Sequence, residues 1–583
     1  MTGLGDGVMR DPLAYRVQVS PAETALVDAD TGESWDFDGL DRAVERTAAR
    51  LHALGVATGD RVGVVLPTRP AHAVTIHALL RLGATVVPLS DRLTASELRV
   101  RFGDADPTAV VCGADTEAAV VGAADAPVVS VDEPSADGAT ALAAADAATS
   151  PPRHGWAPDG TVALLFTSGT AGDPKPVTLT ATNLLASAGA SALRLGLRSE
   201  DRWFVALSPA HAGGFSPILR MPLYGSTVVL RRSFDPGSAV DDIREHGITC
   251  VPLVPTMLRR MLDARGTLPD SLRVVLLGGA PSPTDLIERC RDYAVPVYPT
   301  YGTTETASQI ATATPQEVYA DPETVGRPLF GTEVRVVDET GTKLPPGKSG
   351  ELVVSGPTVS PGYYGAPEAT ADAFGPDGFH TGDAGVVDER GRVRVLGRLD
   401  DRIVTGGETV DPGEVVAALR SHPSVADAAV VGLPDEEWGE RVAALVAPEG
   451  ERPDRDALLT HCRKRLAGFK LPRTLVFADA VPRTVSGTVD REAVRERLAD
   501  GRDGTDDTPP TDRAATEGTD GSEANADGTS DARDGEGETG RDGGGDGDGG
   551  GDGDEEARDG TPDVDGDEAS DPVGTPTDAD ETG

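Results

Sequence analysis

Residues 164–175 read Leu-Leu-Phe-Thr-Ser-Gly-Thr-Ala-Gly-Asp-Pro-Lys, an apolar run that stops at a loop of hydroxyls and glycines holding one lysine. Thr167, Ser168 and Thr170 can donate O–H groups, and Lys175 supplies a compact point charge. Gly169 and Gly172 can adopt the positive φ angles at which backbone N–H groups converge on an anion. Together these residues suit a phosphate. The spacing differs from G-x-x-x-x-G-K-[ST], so the loop is not of that class. A flexible surface turn can have the same composition, so the meaning of the loop rests on its surroundings.

The elements that must hold this loop alternate. Residues 40–54 and 72–82 carry apolar side chains at helical spacing, and 61–66 and 84–89 read as buried strands. Strand, helix and strand with short connections favour a parallel sheet. The pattern resumes at 109–112, 128–131, 162–166, 203–207, 227–230, 249–253 and 272–277, with a helix expected over 180–196. Loops recur where strands end, which is where ligands sit in open α/β sheets. From residue 331 short strands and turn signals indicate a β-rich subdomain. After residue 397 a small α/β unit is expected: helix 412–419, strands 425–432 and 442–447, helix 454–466 and a last segment to about 498. The expected fold is therefore α/β. A large N-terminal domain (1–396) of stacked α/β subdomains precedes a smaller one (401–498). Residues 499–583 are rich in Gly, Asp, Glu and Thr with few large apolar side chains, a composition that predicts a disordered acidic tail.

The 583 residues carry a formal net charge of −43. Residues 501–583 contribute −23, so the folded part is itself acidic. Lysine occurs five times against 48 arginines. Such a surface resembles adaptation to molar salt, where repulsion is screened within a few ångströms. It offers no basic stripe for nucleic acid. Cys112, Cys250, Cys290 and Cys462 are far apart, which predicts buried free thiols rather than a zinc site or disulfides. No secretion signal or apolar run of membrane-spanning length is legible, so a cytoplasmic location is expected. Monomer and homodimer stay open.

The loop at 167–175 resembles the phosphate loop of the adenylate-forming superfamily (acyl-CoA synthetases, adenylation domains and luciferases), with Pro176 where that family usually has Gly. Six motifs in the family's order, and a seventh in part, extend the resemblance over roughly residues 20–498. It implies ATP, Mg²⁺ and coenzyme A as reactants with a small carboxylic acid. Thr167, Ser168, Gly169, Thr170, Gly172 and Lys175 then hold phosphate. Ser208-Pro209-Ala210-His211-Ala212-Gly213-Gly214 borders the acid, with His211 and Gly213 against it. Gly279, Ala280 and Pro281 lie beside adenine. In Tyr301-Gly302-Thr303-Thr304-Glu305-Thr306, Tyr301 and Gly302 face the adenine, Thr304 the α-phosphate region, and Glu305 ligates Mg²⁺, a hard cation that favours oxygen donors. Asp383 accepts from the ribose hydroxyls and Arg398 holds ribose or phosphate. His211, Thr304, Glu305 and Arg398 are the implied catalytic group, and Asp400 marks a hinge at 397–400 about which the small domain swings.

The seventh motif, Pro482-Arg483-Thr484-Val485-Ser486-Gly487-Thr488, has Thr488 where the family has a lysine that bridges acid and α-phosphate. An arginine such as Arg483 or Arg491 could take over, the first half-reaction could be slower, or adenylation could be lost, leaving a nucleotide-binding homologue. The run Thr304-Glu305-Thr306-Ala307-Ser308-Gln309-Ile310, with Gly278-Gly279-Ala280-Pro281, is most similar to 2-succinylbenzoate–CoA ligases of menaquinone biosynthesis. That resemblance places Ser308 beside an aromatic acid. Another acyl- or aryl-CoA ligase is the alternative.

Overall fold

The computed structural model describes residues 11–147, 151, 153–167, 174–406, 408–435, 438–484 and 488–501. Ser168, Gly169, Thr170, Gly172, Gly407, Ser486, Gly487 and the tail beyond residue 501 lie outside the described residues.

Four sheets are formed among the described residues. The first runs, in spatial order, Ala139–Ala141, Val128–Ser130, Ala109–Cys112, Arg61–Val65, Thr85–Leu89, Thr161–Phe166 and Pro176–Thr180, parallel except for the last pair. The second has six parallel strands at its centre: Val297–Tyr301, Val274–Leu277, Cys250–Leu253, Arg202–Val205, Thr227–Leu230 and Thr24–Asp28. Antiparallel strands flank both of its edges. Strands such as Val62–Val65 and Val228–Leu230 are buried on both faces, which is why they read as continuous apolar runs.

Helices Phe37–Ala53, Pro70–Leu82 and Ala212–Tyr224 lie between the two sheets and share one core with both. Pro70–Leu82 buries ten of its thirteen residues, as a helix covered on all sides must. Further helices cover the outer faces through separate cores, one around Leu98 and Phe102, the other around Val240, Leu258 and Leu286. The result is five layers, helix–sheet–helix–sheet–helix.

One ion cluster pins the central helix. The Arg81 side chain is fully buried and donates to Asp11 at 2.7 Å, Asp41 at 2.5 Å and Glu45 at 3.0 Å. Asp11 also caps helix Pro12–Val19, and the two other carboxylates stand on Phe37–Ala53. Three helices therefore meet at one guanidinium.

The third sheet is antiparallel: Glu333–Val337, Ser349–Ser355, Gly378–Val387, Phe374–Gly375 and Val393–Arg398. Its core packs on Ile310 and Ala311 beside the second sheet. The fourth builds a small C-terminal domain from Glu408–Val410, Ile403–Thr405, Gly439–Pro448, Val425–Asp435 and Thr474–Phe477. It is covered on one face by Pro412–Arg420 and Arg455–Arg463 and on the other by Arg491–Asp500.

Three expectations change in detail. The segment after the loop first returns as strand Pro176–Thr180, and the expected helix begins at Ala181. Pro176 is tolerated because it opens an edge strand, where no inner ladder donor is lost. The strands expected at 425–432 and 442–447 extend to Asp435 and back to Gly439, because they pair as a long antiparallel ribbon. The helix expected to reach 466 ends at Arg463. All four cysteines are buried free thiols, and no helix among the described residues is long and apolar enough to cross a membrane.

Candidate active site

The chemistry-bearing loops follow the carboxyl ends of parallel strands in both sheets. In the first sheet Thr161–Phe166 delivers Thr167. Its N–H donates to the Lys175 carbonyl at 3.0 Å, and its Oγ1 accepts from the Lys175 N–H at 3.0 Å. This pinch closes the mouth of the loop whose inner residues lie outside the described set.

In the second sheet Arg202–Val205 leads to His211, Val274–Leu277 to Gly279, Ala280 and Pro281, and Val297–Tyr301 to the loop with Glu305. His211 stands immediately before helix Ala212–Tyr224, and burial lowers its pKa, so the imidazole is neutral near pH 7. A Cβ on Gly213 would meet Leu207 at 2.9 Å, and one on Gly214 would meet the Ser208 carbonyl oxygen at 2.4 Å.

The loop after Tyr301 folds back on itself. The Ile310 N–H donates to the Tyr301 carbonyl at 2.7 Å, and a Cβ on Gly302 would lie 1.8 Å from the Ser308 carbonyl oxygen. Only glycine fits there. Ala307 at φ 59° and Ser308 at φ 154° complete the reversal in backbone regions that cost non-glycine residues energy. This fold presents Thr304 and Glu305 on one 3₁₀ turn, with Glu305 only 9% exposed.

Two polar groups assemble around these loops. In one, the Tyr301 hydroxyl donates to Asp383 Oδ2 at 2.6 Å. Arg398, directly across the strand pair from Asp383, donates to Oδ1 at 3.3 Å and to the Thr381 carbonyl at 2.7 Å. Burial pushes the Asp383 carboxyl up, against the pull of Tyr301 and Arg398, and burial beside Asp383 pushes the Tyr301 phenol up. Tyr301 is thus a fixed donor. Arg398 Nε is buried without a hydrogen-bond partner, a donor suited to an anionic ligand. In the other group, the Tyr363 hydroxyl donates to Glu305 Oε1 at 2.8 Å, and the Lys175 ammonium lies 5.8 Å from the Tyr363 ring centroid.

The expected residues are not all joined. Among the described residues no hydrogen bond links His211, Gly279, Ala280 or Pro281 to these two groups. Asp400 is 67% exposed, 3.6 Å from Arg398. In the C-terminal domain Thr488 shares a 2.7 Å hydrogen bond with Thr484. Arg483 pairs with Asp427 and Arg491 with Asp401, each at 2.6 Å, so both candidate substitutes for the lysine are held by carboxylates. Among the described residues no group of three His, Cys, Asp or Glu side chains is arranged to hold a metal ion. A single carboxylate such as Glu305 is nonetheless what Mg²⁺ uses when nucleotide phosphates supply further oxygens.

Sequence reasoning missed Tyr363 and Arg220. Tyr363 follows a Pro361-Gly362 turn, with no spacing that ties it to Glu305. Arg220 does carry a signal: it is a cation at residue nine of an otherwise uncharged, mostly buried helix, Ala212–Tyr224. It is 6% exposed, donates to Ser187 Oγ at 2.8 Å, pairs with no carboxylate among the described residues, and its Nε has no partner.

Residues 13–364 match the AMP-binding enzyme family, and residues 414–488 match the AMP-binding enzyme C-terminal domain. A 2-succinylbenzoate–CoA ligase of Geobacillus kaustophilus is 38% identical over 489 residues, covering 83% of this chain and 97% of that protein. The structure of an o-succinylbenzoate CoA synthetase from Bacillus subtilis in complex with its acyl-adenylate intermediate superposes with a TM-score of 0.78 at 33% identity, covering 85% of this chain and 99% of the other. The same Bacillus subtilis protein in complex with ATP and magnesium ion gives 0.75 at 32% identity, with 84% and 99% covered. With both domains matched in order, the chain belongs to the AMP-binding enzyme family and is an AMP-forming acid–thiol ligase.

Proposed function

We propose that the chain activates 2-succinylbenzoate. The acid's carboxylate oxygen attacks the α-phosphorus of ATP and expels pyrophosphate. The thiolate of coenzyme A then attacks the acyl carbon and displaces AMP. Beyond the relatives, the observation that carries this substrate is Arg220. A buried guanidinium without a carboxylate partner is costly, and an anion that reaches it is bound strongly. 2-Succinylbenzoate has two carboxylates. One is activated, and the second is a candidate partner for Arg220.

In this reading Thr167 and Lys175 hold phosphate together with Ser168, Gly169, Thr170 and Gly172. Gly279, Ala280, Pro281, Tyr301 and Gly302 frame the adenine, Asp383 and Arg398 hold the ribose, and Thr304 reaches the α-phosphate. Glu305 is the protein's oxygen ligand to magnesium. His211, Gly213 and Ser308 border the acid, a neutral His211 adding no second charge there. Residues 397–400 form the hinge, with Asp400 exposed at its end. Thr488 leaves the small domain without the family's lysine, so charge neutralisation in the first step falls on Lys175 and Arg398, to which magnesium held by Glu305 would add its charge. The acidic, lysine-poor composition supports a saline cytoplasm as the working environment.

The Arg220→Leu variant tests the substrate. Loss of a charge-assisted contact is worth about 1.5–3 kcal/mol, so kcat/KM for 2-succinylbenzoate should fall about 10- to 100-fold. Turnover of benzoate, which lacks the second carboxylate, should change by no more than about 3-fold on the same scale. An equal loss on both acids would mean that Arg220 supports packing alone, and the dicarboxylate reading would lose its support.

A further inference from the structure

Tyr363 touches both halves of the phosphate-handling apparatus, and its own placement is over-determined. Residues 360–364 lie along the strand that leaves the phosphate loop. Thr178 N–H donates to the Gly362 carbonyl at 3.0 Å, Tyr364 N–H donates to the Pro176 carbonyl at 2.8 Å, and Tyr363 forms an antiparallel bridge with Val177. Ser360 ties the same segment to the other side: its N–H donates to the Glu305 carbonyl at 2.8 Å, and its Oγ donates to the Thr178 carbonyl at 2.7 Å. The Tyr363 N–H donates to Thr370 Oγ1 at 3.0 Å, and its ring meets Phe374 edge-on at 5.5 Å. Gly362 stands at φ 140°, where a Cβ would meet Thr370 Cγ2 at 2.3 Å, so the turn that aims Tyr363 requires glycine.

We propose that Tyr363 is a positioning residue that couples the magnesium-ligating carboxylate to the phosphate-loop lysine, its hydroxyl orienting Glu305 and its ring carrying Lys175. The inference rests on the site reading given above. Holding Oε1 of Glu305 in a hydrogen bond fixes the carboxylate plane and directs the other oxygen, as hydrogen-bonded partners of metal-ligating carboxylates do. The ring face attracts the ammonium and limits where it can sit relative to that carboxylate. Sequence places Lys175, Glu305 and Tyr363 far apart, and the fold brings all three to one ring.

The test is calorimetric titration of the full chain with ATP, with and without Mg²⁺, and with AMP, in the absence of acid so that no turnover occurs. Tyr363→Phe keeps the ring and its packing. It should cut the Mg²⁺-dependent gain in ATP affinity about 10-fold, with AMP affinity and melting temperature unchanged. Tyr363→Leu should in addition weaken metal-free ATP binding, because the platform for Lys175 is gone. Glu305→Gln, run alongside, separates the two levels of the claim. If Glu305→Gln removes the magnesium gain and Tyr363→Phe does not alter it, the positioning role is wrong and the site reading stands. If Glu305→Gln leaves the gain intact, the site reading falls and this inference falls with it.

Discussion

Replacing Glu305 with Gln is expected to slow acyl-adenylate formation by about 10²- to 10³-fold, or about 3–4 kcal/mol of barrier, the scale seen when one electrostatic contact to the developing charge is lost. Glutamine has the same shape and can still accept from the Tyr363 hydroxyl, so the 3₁₀ turn that carries residue 305 keeps its partner. What disappears is the only formal negative charge that this turn offers a cation. With Thr488 in place of the family's lysine, a bound magnesium ion would carry a larger share of the neutralisation, so loss of a carboxylate that would hold it should be felt strongly. ATP–pyrophosphate exchange at saturating substrate measures the rate, and the Mg²⁺ concentration at half-maximal rate should rise in parallel. A rate within about 3-fold of the parent would remove Glu305 from the metal site, since an effect that small is under 1 kcal/mol.

The second large effect concerns the scaffold. Arg81→Met should destabilise the chain by about 3–5 kcal/mol, the usual cost of removing one partner from a buried ion cluster. Methionine fills much of the same volume, so the loss is chiefly electrostatic. Asp11 and Asp41 are left without this cation beside a buried position, while Glu45 keeps its contact with Arg153 at 3.0 Å. Chemical denaturation at constant high salt reads the change. Adding Asp41→Asn to Arg81→Met should recover part of the loss, because it removes one of the repelling charges. A loss below about 1 kcal/mol would place the cluster with ordinary surface pairs.

Much of the architecture was legible because parallel strands buried on both faces leave unmistakable apolar runs, and because Gly and Pro punctuate their ends. The strand Pro176–Thr180 was not, for a local reason. It is five residues long, begins with proline and runs straight into a well-capped helix, so the helical signal absorbed it. Thr474–Phe477 was hidden likewise, since its parallel partner Gly439–Pro448 is distant in sequence. Tyr301, Asp383 and Arg398 were each visible as motif residues. Their joining through one carboxylate depends on the cross-strand register of Asp383 and Arg398, which no linear spacing encodes. Tyr363 and Arg220 were missed because their significance lies in what they touch and what they lack: a hydroxyl on Glu305, and a buried guanidinium with no carboxylate partner among the described residues.

We propose that this site joins 2-succinylbenzoate to coenzyme A even though residue 488 is threonine. Thioester formation by the full chain, with ATP, Mg²⁺ and coenzyme A in molar KCl, tests it most directly when 2-succinylbenzoate, benzoate and a fatty acid are compared. AMP release and thioester formation are expected, with 2-succinylbenzoate preferred by at least about 10-fold in kcat/KM, the factor that one buried charge contact supplies. Equal or better turnover of benzoate or the fatty acid would contradict the substrate. ATP binding without thioester formation from any of the three would contradict the claim as a whole.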